Sequence, residues 1–280
     1  NALTTNQSQP ALSGTVSDAG SEVVVTVNGI NYTAVVSGTT WTLLAGTITP
    51  ALADGTYDVE VMAADLAGNI GIDSTTNELI IDTTGPTVTI NQAVTQADPT
   101  NVNAITYTVQ FSEPIGSGSF TASDVVLGGT LTGSVSNITQ VNATTWTVTI
   151  SGALSGQTVT ATIAAGAVID TLGNASIAST STDNSVLYDA TQPQIFAINV
   201  DVNSVGTSME QPIITFATTD AESGIDRYEV SVDGGAFTIQ SSGYQPTLTV
   251  ATSHTITIRA YDRAGNVREQ TVTYPPTVSI

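Results

Sequence analysis

Short runs in which apolar and polar residues alternate recur along the whole chain, and they are rich in Val, Ile and Thr. A period of two predicts strands with one buried and one wet face. Residues 56–64 place Tyr57, Val59, Val61 and Ala63 on one face and Asp58, Glu60 and Met62 on the other. Residues 105–111 align Tyr107, Val109 and Phe111, and residues 145–150 align Trp146, Val148 and Ile150. Later, Tyr228, Val230 and Val232 alternate with Glu229 and Ser231, and Ile256 and Ile258 with Thr257 and Arg259. Turn residues separate the runs. Asn28-Gly29 joins 22–28 to 31–37 as a type I′ hairpin, and Asp233-Gly234-Gly235 joins 226–232 to 236–240 in the same way. No stretch has the pattern of an amphipathic helix. Short strands with a turn at roughly every 8–12 residues predict an all-β chain of immunoglobulin-like β-sandwiches.

Internal repeats divide the chain. Ile81–Ile90 (IDTTGPTVTI) recurs as Tyr188–Ala197 (YDATQPQIFA): a closing strand, an Asp-led linker, a proline and a new opening strand. A second repeat precedes each closing strand, as Asp65–Asn69 (DLAGN), Asp170–Asn174 (DTLGN) and Asp262–Asn266 (DRAGN). Three such turns and two linkers predict three tandem domains in an elongated rod, spanning residues 1–82, 83–189 and 190–274. The first shows no opening strand of its own. Residues 275–280, after Tyr274, read as the start of a following domain or as a donor strand for another copy.

Charge narrows the partners. The chain carries 24 Asp and Glu against 4 Arg, has no Lys, and is at −20. The excess is spread as −9, −6 and −5 over the three predicted domains. Nothing here could replace the counterions on a phosphate backbone, so nucleic acid is excluded as a partner. No run approaches the roughly 20 apolar residues of a membrane span, and no membrane insertion is expected. Cysteine is absent, so disulfides, thiol catalysis and Cys-based zinc sites play no part. His254, the single histidine, stands in an alternating run with no acid partner evident from the sequence. With no Lys or Cys beside it, Ser–His–Asp, Cys–His and Schiff-base schemes are closed and no catalytic residue is assigned. Trp41 and Trp146 sit in matching contexts (TTWTLL, TTWTVT), which predicts a shared packing role over a sugar-stacking platform.

Clustered carboxylates at the linkers are the candidate chemistry. With alternating strand directions, the loop after the second strand and the loop before the last share a pole with the incoming linker. That gathers Asp82, Glu113, Asp170 and Asn174 at the first joint. At the second it gathers Asp189, Asp220, Glu222, Asp226, Asp262 and Asn266, and at the N-terminal pole of the first domain Asp18, Glu22, Asp65 and Asn69. Ca²⁺ takes six to eight oxygens from such groups. The bland reading is that each D-x-x-G-N is a turn capped by its own Asp.

The Asp-x-Thr-x-Pro linker at 82–86, its variant at 189–193, the D-x-x-G-N turns and Phe111-Ser-Glu-Pro114 resemble the bacterial Ig-like repeats of large secreted surface adhesins and biofilm proteins. The resemblance implies a non-enzymatic extender on the bacterial cell surface, stiffened by calcium at its joints. Its partners would be flanking domains or neighbouring copies of the same protein. The alternative is a filament or surface-layer subunit assembled by exchange of the terminal strand. Val272, not Asp, stands four residues before Pro276, so no linker-type calcium site is expected there.

Overall fold

The computed structural model describes residues 2–128, 131–201, 209–249 and 252–274. Residues 275–280, expected as a further opening strand, lie outside them. Among the described residues everything regular is β-structure, apart from one short 3-10 turn at Ala122–Asp124. The chain forms two compact units, Asn1–Val88 with Phe111–Asp124 and Ala164–Ser179, and Thr89–Gln110 with Val125–Ile163 and Thr180–Ile280. The tip of the second expected domain thus belongs to the first unit.

The first unit contains β1 (Leu3–Thr5), β2 (Leu12–Thr15), β3 (Glu22–Val27), β4 (Ile30–Thr33), β5 (Val35–Ser37), β6 (Thr40–Leu43), β7 (Gly55–Tyr57), β8 (Val59–Ala64), β9 (Ile70–Asp73) and β10 (Leu79–Ile81). They form sheets in the orders β4-β3-β8-β9, β2-β6-β5 and β1-β10-β7. Val23, Val25 and Val27, alternating along β3, are fully buried with Leu43, Ile48, Leu79 and Ile81 in one core. Trp41 joins this core and lies opposite Gly14, where a Cβ would come within 2.6 Å of the indole nitrogen. Asn28 and Gly29 both take positive φ between the paired residues Val27 and Ile30, as a type I′ hairpin requires.

Three expectations are corrected here. The chain does open on a strand: β1 runs parallel to β10, pairing Leu3, Thr4 and Thr5 with Leu79, Ile80 and Ile81. The run 31–37 is two strands, because the chain breaks at Ala34, passing from the β3 partner β4 to the β6 partner β5. The run 56–64 breaks likewise at Asp58: β7 pairs with β10 while β8 pairs with β3. Alternation continues through both breaks, because a strand can change sheets and still send the same side chains inward.

In the second unit, β11 (Val88–Gln92), β12 (Ile105–Phe111), β13 (Val125–Gly128), β14 (Ser134–Gln140), β15 (Thr145–Ser151), β16 (Gln157–Ile163) and β17 (Ser185–Tyr188) form the sheets β11-β12-β15-β14 and β13-β16-β17. Ile105, Tyr107, Val109, Val148 and Ile150 are fully buried, and Trp146 is half-buried. The Tyr107 hydroxyl donates to the Val159 carbonyl at 2.6 Å, which satisfies the one polar atom that burial of the ring brings inside.

There follow β18 (Ile198–Asp201), β19 (Met209–Glu210), β20 (Ile213–Phe216), β21 (Ile225–Val232), β22 (Thr238–Ile239), β23 (Leu248–Thr249), β24 (His254–Asp262) and β25 (Val267–Tyr274). Their main sheet is β22-β21-β24-β25. Phe196, Ile214, Phe216, Val230, Ile256, Ile258 and Ala260 form its core. A bulge between Ile225 and Arg227 turns Arg227 over the Tyr261 ring, 3.9 Å from its centroid.

Candidate metal centres at the two linkers

Each linker brings three carboxylates together, drawn from corresponding places in the sequence. In the first unit they are Asp82 after β10, Glu113 after β12 and Asp170 of the D-x-x-G-N turn. In the second unit they are Asp189 after β17, Asp220 after β20 and Asp262 at the end of β24. Within each trio one oxygen per residue lies within 4.8 Å of the others.

Local hydrogen bonds explain why the chain places them there. Asp170 Oδ1 accepts the backbone N–H groups of Leu172 and Asn174, at 2.7 and 2.9 Å, while Oδ2 accepts from the Asn174 amide at 2.8 Å. Asp262 accepts from Asn266 in the same two ways, each at 2.8 Å, and Asp65 from Asn69 at 2.8 and 2.7 Å. The glycine before each Asn has φ between 85° and 94°, a left-handed conformation that costs glycine nothing. The self-capped turn is therefore present in all three copies.

The two Asn residues at the linkers have a further role. The Asn174 amide also donates to the Asp82 carbonyl at 2.9 Å, and the Asn266 amide to the Asp189 carbonyl at 2.9 Å. Each turn thereby grips the linker backbone directly. Asn174 and Asn266, expected among the cation ligands, hold linker and turn through their amide nitrogens, and an ion would meet their Oδ1 atoms instead.

Of the other expected ligands, Glu222 stands beside Asp189 of the second trio and accepts from Ser155 Oγ at 2.6 Å and Thr191 Oγ1 at 3.1 Å. Asp226 is ion-paired to Arg227 at 2.8 Å. At the N-terminal pole of the first domain, Asp18, Asp65 and Asn69 line a cavity of ≈ 370 Å³, and Glu22 stands exposed opposite Ala64.

Burial and electrostatics distinguish the two trios. Asp189 and Asp262 are 0% and 1% exposed, whereas Asp82 and Glu113 are half-buried. Burial, then the charges of Asp82 and Asp170, push the Glu113 carboxyl up. Burial also pushes Asp262 up; the bonds from Asn266 oppose it, and the charges of Asp189 and Asp220 reinforce it. Burial would raise Asp170 as well, but the hydrogen bonds from Asn174 and Leu172 outweigh it and hold the group below its ordinary 3.8. Asp189 behaves similarly, with Ser223, Glu222 and Thr191 gathered around it. Even so, the buried oxygens Asp189 Oδ2 and Asp220 Oδ2 have no hydrogen-bond partner. A buried carboxylate oxygen without a donor is costly. Facing two further carboxylates, it is suited to a hard divalent cation that prefers oxygen ligands.

Several contributors escaped sequence reasoning. Asp54 accepts from the Thr83 backbone N–H and hydroxyl at 2.8 and 2.7 Å and also from the Thr84 hydroxyl, clamping the first linker. Ser155 holds the second linker, accepting the Ala190 N–H at 2.8 Å. Both stand directly before a glycine, Gly55 and Gly156, which was the available signal. Asn6 donates to the Leu172 carbonyl at 2.9 Å. His254 is also corrected: it shares the inward face with Ile256 and Ile258, and Asp233 is its acid partner at 2.7 Å.

The fold and these linkers define a class of protein, the tandem β-sandwich chain joined through short Asp-led linkers. Residues 2–83 match one family model and residues 82–189 another, both described as bacterial Ig-like domains. Together the two matches span residues 2–189, and that part of the chain consists of bacterial Ig-like domains. No curated protein matches it. Among solved structures it is similar to one from work on host cell surface retention of a 1.5-MDa bacterial ice-binding adhesin. That likeness has a TM-score of 0.53 and 20% identity, and covers 100% of this chain and 94% of that one. It is also similar to a Ca²⁺-stabilized adhesin that helps an Antarctic bacterium reach out and bind ice, at TM-score 0.41 and 19% identity, over 99% of this chain and 71% of that one. No helix among the described residues is long and apolar enough to cross a membrane.

Proposed function

We propose that this chain is a non-enzymatic extender of a bacterial cell-surface adhesin, outside the cell, in which calcium bound at the two linker trios fixes each Ig-like domain to the next. The observation that carries the reading is the second trio: Asp189 is fully buried, yet its Oδ2, like Asp220 Oδ2, has no donor. Asp189, Asp220 and Asp262 would hold the ion there, and Asp82, Glu113 and Asp170 at the first linker. A divalent cation would supply charge neutralisation and a cross-link between linker, loop and turn. The first residue of each linker, its carbonyl already gripped by the D-x-x-G-N asparagine, would then be held through its side chain as well. The partners of such a segment are the flanking domains or neighbouring copies of its own protein. The adhesin assignment is supported by membership in the bacterial Ig-like domains and by the fold shared with the large ice-binding adhesin.

Thermal unfolding in calcium and in EDTA tests the ion. A cation at 100 times its Kd stabilises the folded state by about 2.7 kcal/mol, so the calcium curve is expected at higher temperature. Asp189→Asn is expected to remove most of that difference. Coincident curves for the unaltered chain would eliminate calcium from the account and leave a spacer held by hydrogen bonds alone.

A further inference from the structure

His254, the one histidine in the chain, is buried where β24 begins, with acceptors on both ring nitrogens. Nδ1 lies 2.7 Å from Asp233 Oδ2. Nε2 lies 2.9 Å from the Thr249 carbonyl oxygen and 3.0 Å from Thr252 Oγ1. A carbonyl oxygen can only accept, so Nε2 carries a proton. The other oxygen of Asp233 accepts the Thr255 backbone N–H at 2.8 Å. The bond from His254, then the one from Thr255, hold the Asp233 carboxyl below its ordinary 3.8. Asp233 is therefore ionised near neutrality, and Nδ1 carries a proton as well.

The order Thr252–His254–Asp233 has the outline of a hydrolytic relay. It cannot act as one, because Nε2 already donates to the Thr249 carbonyl and has no lone pair for the Thr252 proton.

We propose that His254 is a doubly hydrogen-bonded imidazolium clip that ties the turn after β21 and the start of β24 to Thr249 and Thr252, and that the folded stability of residues 190–274 therefore falls as pH rises through neutrality. Burial alone favours a neutral ring. Here two acceptors, one of them an anion, oppose that preference. Among the described residues, the groups around the ring come from several elements. Asp233 belongs to the turn. Tyr274 of β25 stands opposite His254 in the register. On β19, Glu210 stands opposite Leu248, one pair from Met209 and Thr249. Three of the four arginines are engaged elsewhere: Arg227 with Asp226 and Glu229, Arg259 with Glu269, and Arg268 with the Pro193 carbonyl.

The sign follows from linkage. A histidine whose charged form is held by the fold contributes stability fully below its unfolded value, about 6.5, and loses it as pH rises through the higher folded midpoint. Ring ¹⁵N shifts of the full chain, titrated with pH, read this directly, because one histidine gives one set of signals. The expected result is two protonated ring nitrogens near neutrality and a midpoint above about 6.5. Asp233→Asn is expected to lower the proton affinity of the ring by about tenfold, one pH unit on the midpoint. As a second measurement, His254→Gln should flatten the fall in melting temperature between about pH 6 and 8. A singly protonated ring near neutrality, a midpoint at or below the free value, or a midpoint unmoved by Asp233→Asn would each overturn the clip.

Discussion

Gly85, in the first linker, has no room for a side chain: a Cβ there would overlap the Ala175 carbonyl oxygen, just beyond the D-x-x-G-N turn. The corresponding residue in the second linker is Gln192, and it is exposed. Two linkers of the same pattern therefore approach their turns at different distances. Gly85→Ala forces backbone against backbone and is expected to cost about 1–3 kcal/mol, while Gln192→Ala is expected within about 0.5 kcal/mol. Urea unfolding of the two variants checks both, and equal losses would show that the close approach carries no weight. The acids of the trios were legible because they recur with the repeat. Gly85, Asp54 and Asn6 were not, because their partners lie far along the chain, where spacing within a motif carries no signal. His254 hid its partner for a related reason, since Asp233 lies 21 residues away across a turn and two short strands.

At the scale of elements, inward and outward positions were readable almost everywhere, because alternation reports which face is wet. β3, β12 and β24 place their apolar sets inside as the pattern requires. Alternation says nothing about which neighbour a strand bonds to, so the changes of sheet at Ala34 and Asp58 left no trace in it. The outer face of the first main sheet carries an exposed apolar pair: Met62 and Ile72 are paired across β8 and β9 and are 36% and 63% exposed. Because they are already wet, Ile72→Thr is expected to change stability by no more than about 0.5 kcal/mol. Ile258→Ala, in the fully buried set of β24, is expected to cost about 2–5 kcal/mol. Denaturant titration separates these outcomes, and a large loss at Ile72 would mean that this face is covered in solution.

For the whole molecule, 24 acidic residues against 4 arginines make self-repulsion a general term in stability. With divalent ions chelated, raising sodium chloride from about 0.01 to 0.15 M shortens the Debye length from about 30 to 8 Å. The melting temperature is expected to rise, as calorimetry would read. An unchanged value would mean that the carboxylates already lie too far apart to repel one another appreciably. With the same charge excess, a divalent ion at either trio would relieve local repulsion in addition to bonding.

The parallel pairing of β1 with β10 bears on how this domain carries tension. Leu3 donates its N–H to the Glu78 carbonyl, and Asp82 donates to the Thr5 carbonyl at the other end of the ribbon. When the chain is pulled from both sides of the domain, these strands slide past each other lengthwise. The three residue pairs between them are then loaded together instead of peeling one after another. Thr100 and Tyr188, bridged in parallel, place the next domain under the same kind of load.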